Sequence, residues 1–202
     1  CSSAASDVYK ETAEDVSVAE IAASVGTPFY VYSTATLVRH FKLFDDALDG
    51  LDHCICYAMK AASNQAILKT LGNLGAGMDV VSGGEYRRAI SAGIPSEKIV
   101  FSGVGKTLEE IKLVLQNGIR QFNVESESEL KHISSVASSM NTLAPIAIRI
   151  NPDVDAQTHE KIATGKAENK FGIPLSRARD VYADAAKMPG IDIVGIDLHL
   201  SL

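Results

Sequence analysis

The hydrophobic pattern of the chain changes period at regular intervals. Short apolar runs suited to strands occur at residues 54–58, 77–81, 98–102, 120–124, 145–150 and 191–198, the first five starting about 21 to 25 residues apart. A segment with apolar positions three and four apart follows each of those five, as a helix with one buried face requires. The first run, Cys54-Ile55-Cys56-Tyr57-Ala58-Met59, is continuously apolar and predicts a strand buried on both faces, the habit of parallel sheets. It stops at Lys60, and a helix is expected from Asn64 to Leu74. Three turns repeat one helix-start pattern, Ser82-x-x-Glu85, Thr107-x-x-Glu110 and Ser126-x-x-Glu129, each a predicted capping box. Gly93 and Gly118 fall where helices should end.

Upstream, residues 1–16 carry no pattern. Ser17 to Glu20 is a further capping box, opening a short helix through Ser24 that Gly26 stops. Thr27-Pro-Phe-Tyr-Val-Tyr-Ser33 alternates aromatic and β-branched residues and reads as a strand. Thr34 or Thr36 then caps a helix whose apolar face is Leu37, Phe41, Phe44 and Leu48.

Strand, capped helix, glycine, strand describes successive βαβ units, used by both the (β/α)8 barrel and the open doubly wound sheet. A dinucleotide fold should offer G-x-G-x-x-G after its first strand, and none stands there. Ser102-Gly-Val-Gly-Lys-Thr107 has the ending of a P-loop but Val100 where that loop needs its first glycine. The expected fold is therefore α/β, a (β/α)8 TIM-type barrel that is incomplete, with about six of the eight strands. Residues 34–202 are expected to form this partial barrel, with residues 1–33 as a separate N-terminal segment. The long polar connection from Asn151 to Pro174 is expected on the face where barrels bind substrates, or as a plain surface excursion.

Composition narrows the class. With 46% hydrophobic and 22% charged residues, the chain is an ordinary globular sequence. A net charge of −6 without a basic run argues against nucleic acid, and no apolar stretch approaches the ~20 residues of a membrane span. Cys54 and Cys56 lie on one face of one strand, a poor geometry for a disulfide, and no C-x-x-C spacing suggests a metal.

Barrels gather chemistry at strand C-termini. Those positions are Lys60, Asp79 with Ser82 to Glu85, Ser102 with Gly103, Asn123 with Glu125, Arg149 with Asn151, and His199. A strand-end lysine held against apolar walls has its amine desolvated, which suits Schiff-base chemistry, although a solvated loop lysine fits the same local sequence. Asp79 is equally open to a capping or ion-pairing role with Arg149.

Tyr57-Ala-Met-Lys60-Ala, Gly77-Met-Asp-Val-Val-Ser-Gly-Gly-Glu85, Lys98-Ile-Val-Phe-Ser-Gly-Val-Gly-Lys-Thr107, Phe122-Asn-Val-Glu-Ser126, Arg149-Ile-Asn-Pro-Asp-Val-Asp155 and Thr164-Gly-Lys-Ala-Glu-Asn-Lys-Phe-Gly172 resemble the diaminopimelate decarboxylases. The resemblance runs in order from about Val16 to His199. It implies a cytoplasmic lyase with pyridoxal 5′-phosphate as cofactor, converting meso-2,6-diaminopimelate to L-lysine and CO2 as a homodimer at full length. Carried over by position, Lys60 would hold the cofactor as an internal Schiff base and His199 would stack on its ring. Asp79 and Arg149 would lie near the imine and the phenolic oxygen, with Glu85 behind them. Ser201 is the candidate for the cofactor phosphate, although His199-Leu-Ser-Leu202 departs from the family's His-Ile-Gly-Ser-Gln. The family's later glycine-rich loop and Glu-Pro-Gly-Arg stretch have no counterpart, so the chain is expected to be part of such an enzyme and inactive alone. A non-catalytic barrel that binds the cofactor or a partner, or a decarboxylase of another basic amino acid, is the alternative.

Overall fold

The structure is a computed structural model and describes residues 12–152 and 171–199. It divides into two compact units, Cys1–Asp52 and His53–Leu202.

In the first unit, β1 (Thr12–Ala13) and β2 (Val16–Ser17) form a small antiparallel ladder, reversed at Glu14 with φ 56°. The sequence pattern did not anticipate it. Helix α1 (Val18–Val25) starts at Ser17, whose Oγ accepts from Ala19 N, and ends at Gly26 with φ 80°. Helix α2 (Thr34–Ala47) is capped by Ser33 rather than by a threonine: Ser33 Oγ accepts from Thr36 N at 3.0 Å. Ser33 also donates to Glu14 Oε1 at 2.6 Å, and Ala35 N donates to the same oxygen at 3.0 Å. These bonds, the one from Ser33 foremost, hold the Glu14 carboxyl below its ordinary range. Thr27–Ser33 is not a strand here. A strand exists through its partner's hydrogen bonds, and among the described residues this segment pairs with none, with Tyr30 92% exposed. The apolar stripe of α2 contains no buried residue.

The second unit carries the rhythm the sequence predicts. Its strands are β3 (Cys56–Ala58), β4 (Gly77–Val80), β5 (Ile99–Phe101), β6 (Gln121–Val124), β7 (Ala144–Asn151), the short β8 (Ile173–Pro174) and β9 (Ile191–Leu198). All pair in parallel in the order β3-β4-β5-β6-β7, and β7 pairs both β8 and β9. The helices between them are α3 (Gln65–Asn73), α4 (Gly83–Ser91), α5 (Leu108–Asn117), α6 (Glu127–Ser139) and α7 (Ala178–Ala185).

Register decides which face each residue takes. Tyr57 pairs Met78, Met78 pairs Ile99, Phe101 pairs Phe122, and Phe122 pairs Ile146. Partners in register share a face of a parallel sheet, and this one is the packed face. Met78, Val80, Ile99, Phe101, Phe122, Val124, Ile146 and Ile148 are buried with Leu68, Tyr86, Ile111, Leu130 and Ile133 of the helices. Burying each such side chain contributes roughly 1.5–3 kcal/mol. The Phe101 and Phe122 rings stack with centroids 6.0 Å apart. The other face runs Ala58, Asp79, Val100, Gln121 in one register line and Arg149, Asp197 in another, and it is largely polar. Strands in sequential order joined by right-handed crossovers place their helices on one face, the arrangement of a barrel wall; a doubly wound sheet reverses its strand order and carries helices on both. Strand β3 is shorter than expected and only half-buried, because among the described strands it pairs with β4 alone.

Candidate functional site

The polar face of the barrel wall ends at the strand C-termini, where loops and helix starts hold the side chains. Of the four predicted capping boxes, only Thr107 and Glu110 are seen to close both halves among the described residues: Thr107 Oγ1 accepts from Glu110 N, and Glu110 Oε2 accepts from Thr107 N at 3.0 Å, whereas Ser17 Oγ accepts from Ala19 N. At Ser82 and Ser126 the hydroxyl cap forms, but the glutamate reaches one residue farther back. Glu85 accepts from Val81 N at 2.8 Å and Glu129 from Glu125 N at 2.7 Å. Glu85 is therefore committed to its turn.

Lys60 follows β3 and is exposed, so the desolvation expected to activate its amine is not supplied by the described residues. Asp79, at the matching position of β4, is half-buried. Burial pushes its carboxyl up, against a hydrogen bond from Ser102 and the positive charges of Lys60, His199 and Lys106. Its Oδ1 is fully buried and has no hydrogen-bond partner among the described residues. Lys60, Asp79 and His199 therefore lie in one electrostatic neighbourhood, as the strand-end argument expects.

Arg149 does not neutralise Asp79. Its Nη1 donates to both carboxylate oxygens of Glu125, at 2.9 and 2.8 Å, and its guanidinium carbon lies 5.9 Å from the centre of the Phe171 ring. Glu125 stands closer to Arg149 because the two occupy neighbouring strand ends, β6 and β7, whereas β5 and β6 separate Asp79 from Arg149. Asp197, in register with Arg149, joins the group: burial pushes its carboxyl up, Arg149 and His199 favour its charged form, and Glu125 and Asp79 oppose it. Sequence reading passed over Asp197, although its place two residues before His199 puts both on one face of β9.

Asn123 is buried and donates to Ser102 Oγ at 3.0 Å while accepting from Gln121 Nε2 at 2.7 Å. Lys106, dismissed as the end of a failed P-loop, is buried beneath its own loop, its Nζ donating to Gly103 O, Asn123 O and Glu129 Oε1. Beside it a cleft of about 200 Å³ is lined by Val104, Lys106, Glu125, Ser126, Glu129 and His132 and takes in neither Lys60 nor Asp79. Ser201 and the polar loop residues from Asp153 to Lys170, both singled out in the sequence, lie outside the described residues. Among the described residues no cluster of histidine, cysteine and carboxylate suits a metal, and no helix is long and apolar enough to cross a membrane.

Comparison with known proteins follows the same line. Residues 34–201 match the profile of the pyridoxal-dependent decarboxylases, pyridoxal binding domain. The chain is 51% identical over 188 residues to a diaminopimelate decarboxylase of Haemophilus influenzae and 52% identical over 188 residues to that of Vibrio cholerae. Each match covers 93% of this chain but 45% of the relative, so the chain spans less than half the length of the curated relatives it matches. The crystal structure of diaminopimelate decarboxylase from Helicobacter pylori, complexed with L-lysine, superposes with a TM-score of 0.87 at 43% identity, covering 91% of this chain and 46% of that one. A lysine decarboxylase from Selenomonas ruminantium, at 23% identity and a TM-score of 0.80 over 96% of this chain and 47% of that one, shares the fold.

Proposed function

Because the chain belongs to the pyridoxal-dependent decarboxylases, through their pyridoxal-binding domain, we propose that the protein carrying it decarboxylates meso-2,6-diaminopimelate to L-lysine and CO2 with pyridoxal 5′-phosphate as cofactor. The observation that carries the reading is Asp79: a carboxylate at a strand end beside Lys60, with a buried oxygen that no group among the described residues satisfies. Buried polar atoms are almost always hydrogen-bonded, and an unpaired one costs about 1–3 kcal/mol. A polar ligand bound between Lys60, Asp79 and His199 would supply the missing partner. The residues present therefore fit the cofactor. The likeness to diaminopimelate decarboxylases over nearly the whole chain supports the choice of substrate.

When bound, the cofactor supplies an electron sink for the pair of electrons left as the carboxylate departs. Lys60 would hold it covalently through its amine, and the exposure of Lys60 leaves that amine accessible to cofactor and substrate. His199 would lie against the ring. Asp79 and Arg149 would hold polar atoms of the cofactor, and Ser201 its phosphate. The polar strand ends orient these groups, and the apolar packing behind the sheet keeps the strands that carry them in register. The same reading assigns residues 1–33 to a second, β-rich domain, residues 34–202 to the partial barrel, and the whole protein to a cytoplasmic homodimer.

The test is borohydride reduction of the protein after incubation with pyridoxal phosphate, followed by peptide mass mapping. The cofactor adduct is expected on Lys60 and is expected to vanish in Lys60→Ala. Release of CO2 from meso-diaminopimelate, with ornithine, arginine and lysine as competing substrates, then assigns the reaction. An adduct without any CO2 release would mean a cofactor-binding barrel that is not a catalyst. Absence of an adduct would refute the cofactor assignment.

A further inference from the structure

We infer that Glu125 is a positioning residue of this site: it holds the guanidinium of Arg149 in a fixed place, and cofactor binding depends on that hold. The inference rests on the pyridoxal-phosphate reading above and goes beyond it by naming a residue that acts through another.

Glu125 lies one residue past β6, and its side chain is 2% exposed. Both of its oxygens receive Arg149 Nη1, and Oε1 also receives the Gly103 N–H at 3.1 Å. Its own N–H donates to Glu129 Oε2 at 2.7 Å, and the other oxygen of Glu129 holds the buried Lys106. The β5–α5 loop thus holds the Glu125 carboxylate through Gly103 N, and the first turn of α6 holds its backbone N–H. Arg149 therefore meets a carboxylate that two other elements already fix.

Arg149 has competing acceptors. Asp197 is its register partner, and Arg149 already acts on the Asp197 carboxyl, which also feels Asp79. Arginine–carboxylate pairing in a partly buried site is strong, and a guanidinium released from Glu125 would settle on Asp197 instead. Phe171 covers one side of the guanidinium without fixing its direction. Glu125 is therefore the group that decides where Arg149 points.

The experiment is a double-mutant cycle in the protein that carries this chain. Wild type, Glu125→Gln, Arg149→Gln and the double variant are titrated with pyridoxal phosphate, and the borohydride-trapped adduct on Lys60 is quantified at each concentration. Glu125→Gln is expected to weaken cofactor affinity about tenfold in the wild-type background and less than about twofold in the Arg149→Gln background. An equal loss in both backgrounds would overturn the inference, since the effect would then run through Gly103 and the loop rather than through Arg149. No loss in either would also overturn it while leaving the cofactor reading intact. A wild-type protein that takes up no cofactor at Lys60 would defeat the reading and the inference together. If Glu125→Gln unfolds, as thermal denaturation would reveal, Glu125→Asp replaces it: the charge stays, the oxygens withdraw by one methylene, and a loss of about threefold is expected, with none counting against the inference.

Discussion

Lys106 Nζ lies 2.7 Å from Glu129 Oε1, with the two side chains only 1% and 9% exposed. The ammonium also donates to the carbonyls of Gly103 and Asn123, both at 2.8 Å, and sits 5.6 Å from the centre of the Phe101 ring. One buried cation therefore ties the β5–α5 loop to the end of β6 and the first turn of α6. Replacing it leaves a buried carboxylate and two carbonyls without their donor. Lys106→Met is expected to lower stability by about 3–5 kcal/mol, read as a shift of the urea midpoint in the protein that carries this chain. A loss below about 1 kcal/mol would mean that water replaces the ammonium freely and that the tie is weak.

Gly77 sits on β4 where a Cβ would run into the backbone oxygen of Lys98 and stand 2.8 Å from Cys56 Sγ. The Lys98 carbonyl is backbone, immediately before the neighbouring strand β5, and cannot swing aside as a side chain would. Gly77→Ala is expected to cost about 1–3 kcal/mol through strand displacement, measured by thermal unfolding. At Gly75, where nothing lies within 4 Å but φ is 102°, the same change tests backbone strain without a clash.

The Asp79 carboxyl is raised by burial, so the folded state holds its proton at pH values where the unfolded chain has released it. The sign follows from linkage. This carboxyl's contribution is fully present below the unfolded pKa and is lost as pH rises from there through the raised folded value. In the cofactor-free protein, Asp79→Asn is expected to be more stable than wild type at neutral pH, by about 1 kcal/mol from removing one unsatisfied buried anion. The difference should shrink toward zero as pH falls below the ordinary carboxylate range. Unfolding midpoints of both proteins from pH 3 to 7 check it; curves that stay parallel would place the shift elsewhere.

Burial pushes the Cys56 thiol up to about 12, reinforced by Cys54, whose Sγ lies 3.9 Å away. Cys56 also points its Sγ at Lys98 O. At pH 8 its thiolate fraction is then on the order of one in ten thousand, and thiolate is the reactive form. Iodoacetamide treatment of the native protein at that pH, followed by peptide mass mapping, is expected to leave Cys56 unmodified and to label it on unfolding. Rapid native labelling would contradict this.

How much of this was legible beforehand follows from the range of each interaction. The strands from residue 54 onward, the helices between them and the glycine stops at Gly93 and Gly118 are local patterns of period and capping, and the structure places them within a few residues of their predicted bounds. Thr27–Ser33 failed for the opposite reason: its alternation is real, but a strand is defined by a neighbour that the alternation does not supply. The site divides in the same way. That Lys60, Asp79 and His199 share one end of the sheet follows from counting strand ends. That Arg149 answers Glu125 and not Asp79 does not, because the spacing of 24 residues between Glu125 and Arg149 carries no signal of their contact.

The sequence by itself determined the alternation of strand and helix, which residues of each strand point the same way, and the family to which the chain belongs, because all three are written in the order of neighbouring residues. Only the tertiary structure decided which charges meet. Register brings Arg149 opposite Asp197, strand adjacency gives it Glu125, and the folding of the β5–α5 loop buries Lys106 against Glu129. These are distances of a few ångströms between residues far apart in the chain, and packing of the sheet against its helices is the physical agent that sets them.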